Sequence, residues 1–129
     1  MTECSGNMLH ACAVKYVKDQ NLLNEYIGCM MQHNVEALEE AGQACAAKVG
    51  GEDFKVDWPA ISKCSENSQG GTLLANYGDD THSLKPSVTF IPTVQLNGSQ
   101  EKQNILLKDL TRAVCDSFEE PKPETCLNI

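Results

Sequence analysis

Most of the chain carries the apolar spacing of amphipathic helices, and one short stretch has the character of a strand. Apolar side chains recur at helical spacing from Met8 to Val17 and again from Leu22 to Met30. The polar run Asp19-Gln20-Asn21 separates these two stretches. The pattern predicts two antiparallel helices joined by a turn.

The next part of the chain predicts two further helices and a loop. One helix runs from Val35 to about Lys48, and Asp57 is placed to cap a short helix that ends at Cys64. Ser65–Gly71 is polar and glycine-rich, which predicts a loop. The residues 72–77 then predict the last turns of another helix.

A β-rich stretch, Val88–Leu96, ends at Asn97-Gly98, the sequence typical of a type I′ hairpin turn. These features predict a strand and a tight turn, followed at most by a short edge strand over 99–103. Pro92 lies within the predicted strand, although proline has no N–H to donate to a sheet. It therefore lies at an edge or a bulge, follows a cis peptide bond, or simply begins the strand at Thr93.

The C-terminal part predicts one closing helix and a tail. Apolar residues from Ile105 to Phe118 follow helical spacing, whereas the tail 119–129 contains two prolines and cannot continue that helix. No internal repeat occurs. The order of helices, strand, hairpin and closing helix predicts one α-rich domain of the α/β or α+β class over 1–129.

The composition argues against several kinds of partner. The net charge of −8 and the pI near 4.7 disfavour nucleic acids and anionic membranes, because both require a positive protein surface. No apolar run approaches the length of a transmembrane helix. His10, His33 and His82 are scattered, without a cysteine or carboxylate at ligand spacing, so we expect ordinary roles for them and no metal site.

Seven cysteines in so short a chain favour a disulfide framework, and hence an oxidising or secretory compartment. They include no C-x-x-C pair and no close Cys/His cluster suited to zinc. Matched distances from the intervening turns pair four of them, and a tail that folds back onto the end of the closing helix pairs two more. The predicted bonds are Cys12–Cys29, Cys45–Cys64 and Cys115–Cys126, which leaves Cys4 unpaired. Two buried free thiols are the alternative for the first of these pairs.

The start of the chain conflicts with a secretory route, because Met1 is followed by Thr2-Glu3-Cys4 and not by the basic and apolar regions of a signal peptide. We therefore expect that the chain begins within a longer protein. Asn97-Gly98-Ser99 is an N-glycosylation sequon on the predicted turn. Asn97 is thus a candidate glycosylation site, although so short a pattern often arises by chance.

The first residues resemble part of a known signature. Glu3, Cys4, Asn7 and Cys12 match, position for position, the second part of C-Q-H-G-x-x-E-C-x-x-N-x-x-x-x-C, the signature of gamma-interferon-inducible lysosomal thiol reductases. The C-Q-H-G part would lie just before Met1. Farther along, 90–98 is similar to that family's aromatic-aliphatic-Pro-x-V-x-aliphatic-Asn-Gly segment, and the later cysteines follow the family's order.

The resemblance implies a disulfide-bonded, thioredoxin-like α/β fold that here lacks its first strand and helix. Residues 8–77 would be a helical insertion, 86–118 the C-terminal strand, hairpin and helix, and 119–129 a disulfide-anchored tail. Pro92 would be the family's cis-proline, and the backbone of Ile91 would face the substrate's sulfur in a groove. The partner of Cys4 would be the missing first cysteine of the signature.

The function implied by the resemblance is the reduction of protein disulfides, without a cofactor, in a lysosomal or extracellular setting. The family uses a C-x-x-C dithiol upstream of the signature, and this chain has none. We therefore expect no catalytic residue in this chain and no activity from it as written. A secreted, non-catalytic binding module on the same scaffold is the alternative. Small acidic helical carrier proteins are a third class, although their two cysteines one helical turn apart are absent here.

Overall fold

Helices dominate the chain in the computed structural model, which describes residues 3–33, 37–53 and 55–129. Contacts divide the chain into two compact units, Met1–Asp80 and Thr81–Ile129. The helices are α1 (Glu3–Tyr16), α2 (Gln20–Met30), α3 (Leu38–Gly50), α4 (Trp58–Ser65), α5 (Ser68–Ser83), α6 (Gln103–Leu106) and α7 (Leu110–Cys115). Short 3₁₀ turns cover Gly51–Asp53 and Glu124–Cys126.

Two aspartates set helix starts in the first unit as the sequence predicts. The carboxylate of Asp19 accepts a hydrogen bond from the amide of Leu22, 2.9 Å away, and α2 begins directly after it. Asp57 caps α4 in the same way, accepting from the amide of Ala60 at 3.0 Å. Each bond satisfies an amide that the first turn of a helix leaves without a backbone partner. The predicted breaks before α2 and α4 are confirmed.

The packing of the first unit corrects two predicted disulfides. α1 packs mainly against α4, and α2 packs mainly against α3. The bonds are accordingly Cys12–Cys64 and Cys29–Cys45. The predicted pairings Cys12–Cys29 and Cys45–Cys64 are wrong, because they joined α1 to α2 and α3 to α4 rather than the helices that pack most closely.

The core of the first unit lies between these helix pairs. Its largest fully buried side chains are Tyr26, Ile61 and the cysteines 12, 45 and 64. Gly42 on α3 allows the ring of Trp58 to approach its backbone, since a Cβ at this position would lie 2.1 Å from a ring carbon. Large side chains thus fill the interior around the two disulfides, and the Trp58 ring packs closely against α3.

Residues Ser65–Gly71, predicted as a loop, lie largely in a helix. α5 begins at Ser68 and runs to Ser83, through both glycines of the predicted loop. The side chain of Asn67 accepts from the amide of Gln69 at 2.7 Å, next to the helix start. Gly70 is buried, and a Cβ there would lie 2.8 Å from the carbonyl oxygen of Cys64. The glycine permits a tight α4–α5 connection rather than a loop. The predicted start of the third helix, at Val35, lies outside the described residues.

The predicted strand Val88–Leu96 is absent from the second unit. The backbone N–H of Val94 donates to the side-chain oxygen of Gln103 at 3.0 Å, and its carbonyl accepts from the side-chain nitrogen of the same residue. One glutamine thus satisfies both backbone groups that a neighbouring strand would otherwise bond. Without a neighbouring strand among the described residues, the extended stretch forms no sheet.

The predicted turn at Asn97-Gly98 is confirmed. Both residues have positive φ, 51° and 78° respectively. Leu96 and Ser99 exchange two backbone hydrogen bonds of 3.0 Å across the turn. The pairing stops at this bridge, so no edge strand forms over 99–103.

The predicted closing helix is split in two. α6 ends at Leu106, and α7 begins only at Leu110. Asp109 causes the restart, because its carboxylate caps α7 by accepting from the amide of Arg112 at 3.0 Å. Beyond α7, the 119–129 tail returns, and Cys126 is bonded to Cys115, the pair expected from the sequence.

The chain is therefore helix-rich, with three disulfides and with no strand among its described residues. The strand content expected of an α/β class is not found. The described helices include none with both the length and the apolar character needed to cross a bilayer.

Candidate thiol site and substrate groove

The signature residues share one helix but not one environment. Glu3, Cys4 and Asn7 are exposed in the first turns of α1, where residues three and four apart share a face. Cys4 carries a free thiol. Cys12 lies two turns farther along, is completely buried, and is bonded to Cys64. The exposed end of α1 thus presents one thiol to solvent, and the buried end anchors the helix to α4.

A shallow cavity lies beside the signature helix. It has a volume of about 250 Å³ and lies between α1, α3 and α4. Met8, Leu9 and Trp58 give it apolar walls, and two glutamates, Glu39 and Glu66, also line it. Ser5, next to the free thiol in sequence, lines the cavity as well. The cavity therefore includes the residue that follows Cys4 in the chain.

The predicted substrate groove is an exposed apolar turn in the second unit. The Ile91–Pro92 peptide bond is cis. The side chain of Ile91 is 88% exposed and that of Phe90 46% exposed, which is unusual for such large apolar residues. The hydroxyl of Thr93 donates to the carbonyl of Phe90 and closes the turn. These residues form an apolar surface that a protein substrate could cover.

The structure also gathers three residues that the sequence analysis treated as unrelated. A ring nitrogen of His33 and the sulfurs of Cys29 and Cys45 all lie within 4.8 Å of one another. His33 is exposed, Cys29 is half-buried and Cys45 is fully buried. The one local signal was the spacing of Cys29 and His33, four residues apart at the end of a helix, where side chains share a face. Cys45, which α3 contributes to the cluster, could not be placed there from the sequence nearby.

His10 is the titratable side chain with the least satisfied environment among the described residues. Its Nε2 atom is buried and has no hydrogen-bond partner. Burial lowers the pKa of its imidazole below the usual value, because the apolar surroundings disfavour the charged form. The neutral ring is therefore favoured on this half-buried residue of α1.

The arrangement limits the thiol chemistry of these 129 residues. All six cysteines other than Cys4 are held in disulfides. Cys4 could attack a disulfide, but reduction also requires a second thiol that releases the resulting mixed disulfide. Cys4 belongs to the first unit and the Ile91-Pro92 turn to the second.

Comparison with known proteins gives one consistent relationship. The family model for gamma interferon inducible lysosomal thiol reductase (GILT) matches residues 1–49. A gamma-interferon-inducible lysosomal thiol reductase-like protein of Anopheles gambiae is 29% identical, over 98% of this chain and 56% of its own length. GILT-like protein 1 of Drosophila melanogaster is 27% identical, over 96% and 53% respectively. No solved structure matches the chain.

A third relative shows a comparable identity and coverage. The gamma-interferon-inducible lysosomal thiol reductase of Carassius auratus is 27% identical, over 96% of this chain and 47% of its own length. The chain thus spans about half the length of the curated relatives that it matches. The family match includes the helix that carries Glu3, Cys4, Asn7 and Cys12, and the relatives align with nearly the whole chain. By these matches the chain is similar, over nearly its whole length, to members of the gamma-interferon-inducible lysosomal thiol reductase family.

Proposed function

We propose that the protein to which this chain belongs reduces disulfide bonds in proteins, and that these 129 residues supply its scaffold and substrate surface rather than its reducing dithiol. The observation that carries the proposal is the state of the cysteines. Six are consumed in disulfides and the seventh, Cys4, is single and exposed. Reductase activity therefore requires a dithiol from outside these residues.

The chemistry available to Cys4 is a single exchange. Its thiolate attacks one sulfur of a substrate disulfide, a mixed disulfide forms between Cys4 and the substrate, and the other substrate sulfur leaves as a thiolate. No second thiol of this chain is free to displace the substrate. The exchange stops at the mixed disulfide, with one substrate thiolate released per chain.

Exposed apolar side chains of the second unit support a role in contacting protein substrates. Phe90 and Ile91 directly precede the cis Pro92 and project apolar surface to solvent. Extended or unfolded proteins would offer both an accessible disulfide and apolar residues for this surface. We assign the substrate groove to Ile91 and Pro92, and the substrates to disulfide-containing proteins, with no cofactor, nucleic acid or membrane required.

A lysosomal or extracellular location agrees with the bonding of the chain. Three disulfides in 129 residues are typical of oxidising compartments. Asn97 is exposed at the tip of its turn, so the sequon is accessible to a glycosylating enzyme. We propose glycosylation at Asn97, and a mass shift of the native protein on enzymatic removal of N-linked glycans is the test.

The test of the function separates stoichiometric exchange from turnover. The 129-residue chain is mixed with an aromatic disulfide reagent whose released thiolate is coloured. We expect one thiolate per chain, and none from the Cys4→Ser variant. In a protein-disulfide reduction assay with a limiting small dithiol, we expect no acceleration over the dithiol alone. Repeated turnover by the 129-residue chain would contradict the proposal.

The native protein decides between the two candidate functions. Its intact mass shows whether further residues accompany this chain, and the reduction assay is repeated on it. Turnover by the native form alone is the expected result. If neither form turns over, the second candidate is favoured, a secreted binding module that uses the exposed Phe90-Ile91 surface without any thiol chemistry. An Ile91→Asp variant would then lose binding to an unfolded, disulfide-free protein, whereas the matched control Gln95→Asp would not.

A further inference from the structure

A second site that contains cysteines lies outside the signature helix, where α2 and α3 are joined by a disulfide. Cys29 is in the last turn of α2, and the chain continues into a tight turn in which the amides of Gln32 and His33 donate to the carbonyls of Cys29 and Met30, both at 3.1 Å. These bonds hold His33 one turn beyond Cys29. α3 brings Cys45 to the same place from the other side.

We propose that Cys29, Cys45 and His33 form a zinc-binding site when the disulfide between the two cysteines is reduced. Two thiolates and an imidazole are the ligand types that zinc prefers, and three protein ligands leave one position for water. The two thiolate charges balance Zn²⁺. The net charge of −8 on the whole chain also favours cation binding.

The geometry requires only side-chain rotation. Tetrahedral zinc with Zn–S near 2.3 Å and Zn–N near 2.0 Å places its ligand atoms about 3.6–3.8 Å apart. The sulfurs and the imidazole nitrogen already lie within 4.8 Å of one another. The sulfurs must separate once their bond is broken, while the Cα atoms, 5.8 Å apart, keep their places on α2 and α3.

Solvent access selects this disulfide over its neighbour in the first unit. Cys12 and Cys64 are 0% and 1% exposed, so a reductant cannot reach either sulfur without opening the core. Cys29 is half-buried and therefore open to attack, whereas Cys45 is fully buried. Among the described residues this is also the one group of three that offers metal ligands in mutual reach.

The reduction step needs a dithiol. One thiolate of the reductant attacks the sulfur of Cys29, and Cys45 leaves as a thiolate. The second thiol of the reductant then displaces Cys29 and closes the reductant into a cyclic disulfide, so that two electrons and two protons reach the protein. Zn²⁺ binding then displaces the thiol protons.

The test uses the Cys4→Ser variant, so that reduction yields thiols only from the bonded cysteines. Limited treatment with dithiothreitol is followed by alkylation and peptide mapping, and we expect Cys29 and Cys45 to be labelled before Cys12 and Cys64. The reduced protein, freed of reductant under anaerobic conditions, is titrated with Co²⁺ and Zn²⁺. We expect one bound metal per chain, a thiolate-to-cobalt charge-transfer absorption, and no binding by the oxidised protein.

Matched histidine variants give the decisive comparison. We expect His33→Ala to weaken zinc binding at least tenfold and His82→Ala, an exposed histidine outside the cluster, to leave it unchanged. Equal affinities for His33→Ala and the parent, absence of the charge-transfer absorption, or earlier reduction of Cys12–Cys64 would each overturn the proposal. If reduction lowers the helix content, zinc must restore it, and failure to do so would count equally against the site.

Discussion

The two units of this chain use the same covalent link in different ways. In the first unit each disulfide joins two packed helices inside a core of large side chains, and the bonded cysteines are 52 and 16 residues apart. In the second unit the bond joins residues 11 apart and ties a tail to the helix before it. Among the described residues of the second unit, only Leu106, Ala113 and Cys115 are buried.

The difference shows what each unit depends on. The first unit is stabilised by packing, because its helices cover one another's apolar faces around the two bonds. The second unit leaves Phe90, Ile91, Leu110 and Phe118 exposed and satisfies its backbone locally, through a turn, two short helices and the side chain of Gln103. Large effects of substitution are therefore expected in the first unit, and local ones in the second.

The strongest test of the comparison removes the bond at the centre of the first core. Cys12→Ala with Cys64→Ala should lower the free energy of unfolding by about 4 kcal/mol, because a long closed loop most restricts the unfolded chain. The matched control, Cys115→Ala with Cys126→Ala, should cost about 3 kcal/mol and leave the helix content of α1–α4 unchanged. Urea unfolding followed by circular dichroism measures both. A larger loss in the control would reverse the comparison.

Alkaline pH probes the same core through Tyr26. Burial raises the pKa of Tyr26 to about 12, since the apolar surroundings disfavour the phenolate. In the unfolded chain the phenol ionises near its usual value of about 10, so its contribution is fully present below pH 10 and is lost as pH rises toward 12. Relative to Tyr26→Phe, the free energy of unfolding of the parent should fall by about 2–3 kcal/mol over this range. The measurement is the free energy of unfolding of both proteins between about pH 10 and pH 12. The same pH dependence in the parent and in Tyr26→Phe would contradict this prediction.

A single methyl group sharpens the comparison within the first unit. Gly42→Ala would place a Cβ 2.1 Å from the Trp58 ring. We expect the free energy of unfolding to fall by about 2 kcal/mol, because overpacking outweighs the gain in helix propensity. Gly28, also helical but with open space around it, is the control, and Gly28→Ala should stabilise the protein by about 0.5–1 kcal/mol. Thermal unfolding of the two variants should shift in opposite directions; shifts of the same sign would show that Trp58 yields easily.

The smallest expected effect belongs to the second unit. Gln103→Ala removes the side chain that bonds both backbone groups of Val94 and the carbonyl of Gln100. The variant should lose about 1 kcal/mol of stability, and the effect should be confined to the backbone around Val94. Amide hydrogen exchange at Val94 should accelerate, while exchange in α1–α4 should not change. The control is Gln95→Ala, whose exposed side chain faces solvent, and faster exchange at Val94 in that variant would argue against the role of Gln103.

Some of the site was accessible from the sequence because its signals are local. The spacing of Glu3, Cys4, Asn7 and Cys12 indicated the resemblance to the thiol reductase family, and the comparisons find similarity to the same family. The His33 cluster was not predicted, because Cys45 reaches it only through the packing of α3 on α2. The proposed groove at Ile91-Pro92 was inferred from the resemblance of residues 90–98 to the family's proline-containing segment.

The sequence by itself determined the elements whose signals act over a few residues. Asp19 and Asp57 cap helices through bonds to amides three residues away, and Asn97-Gly98 takes the positive φ values that its turn requires. Tertiary structure alone decided which helices pack together, and so which cysteines bond. It also decided that Val94 bonds to Gln103 rather than to a strand. These outcomes depend on apolar burial summed over whole helices and on partners distant in sequence, which a local pattern does not encode.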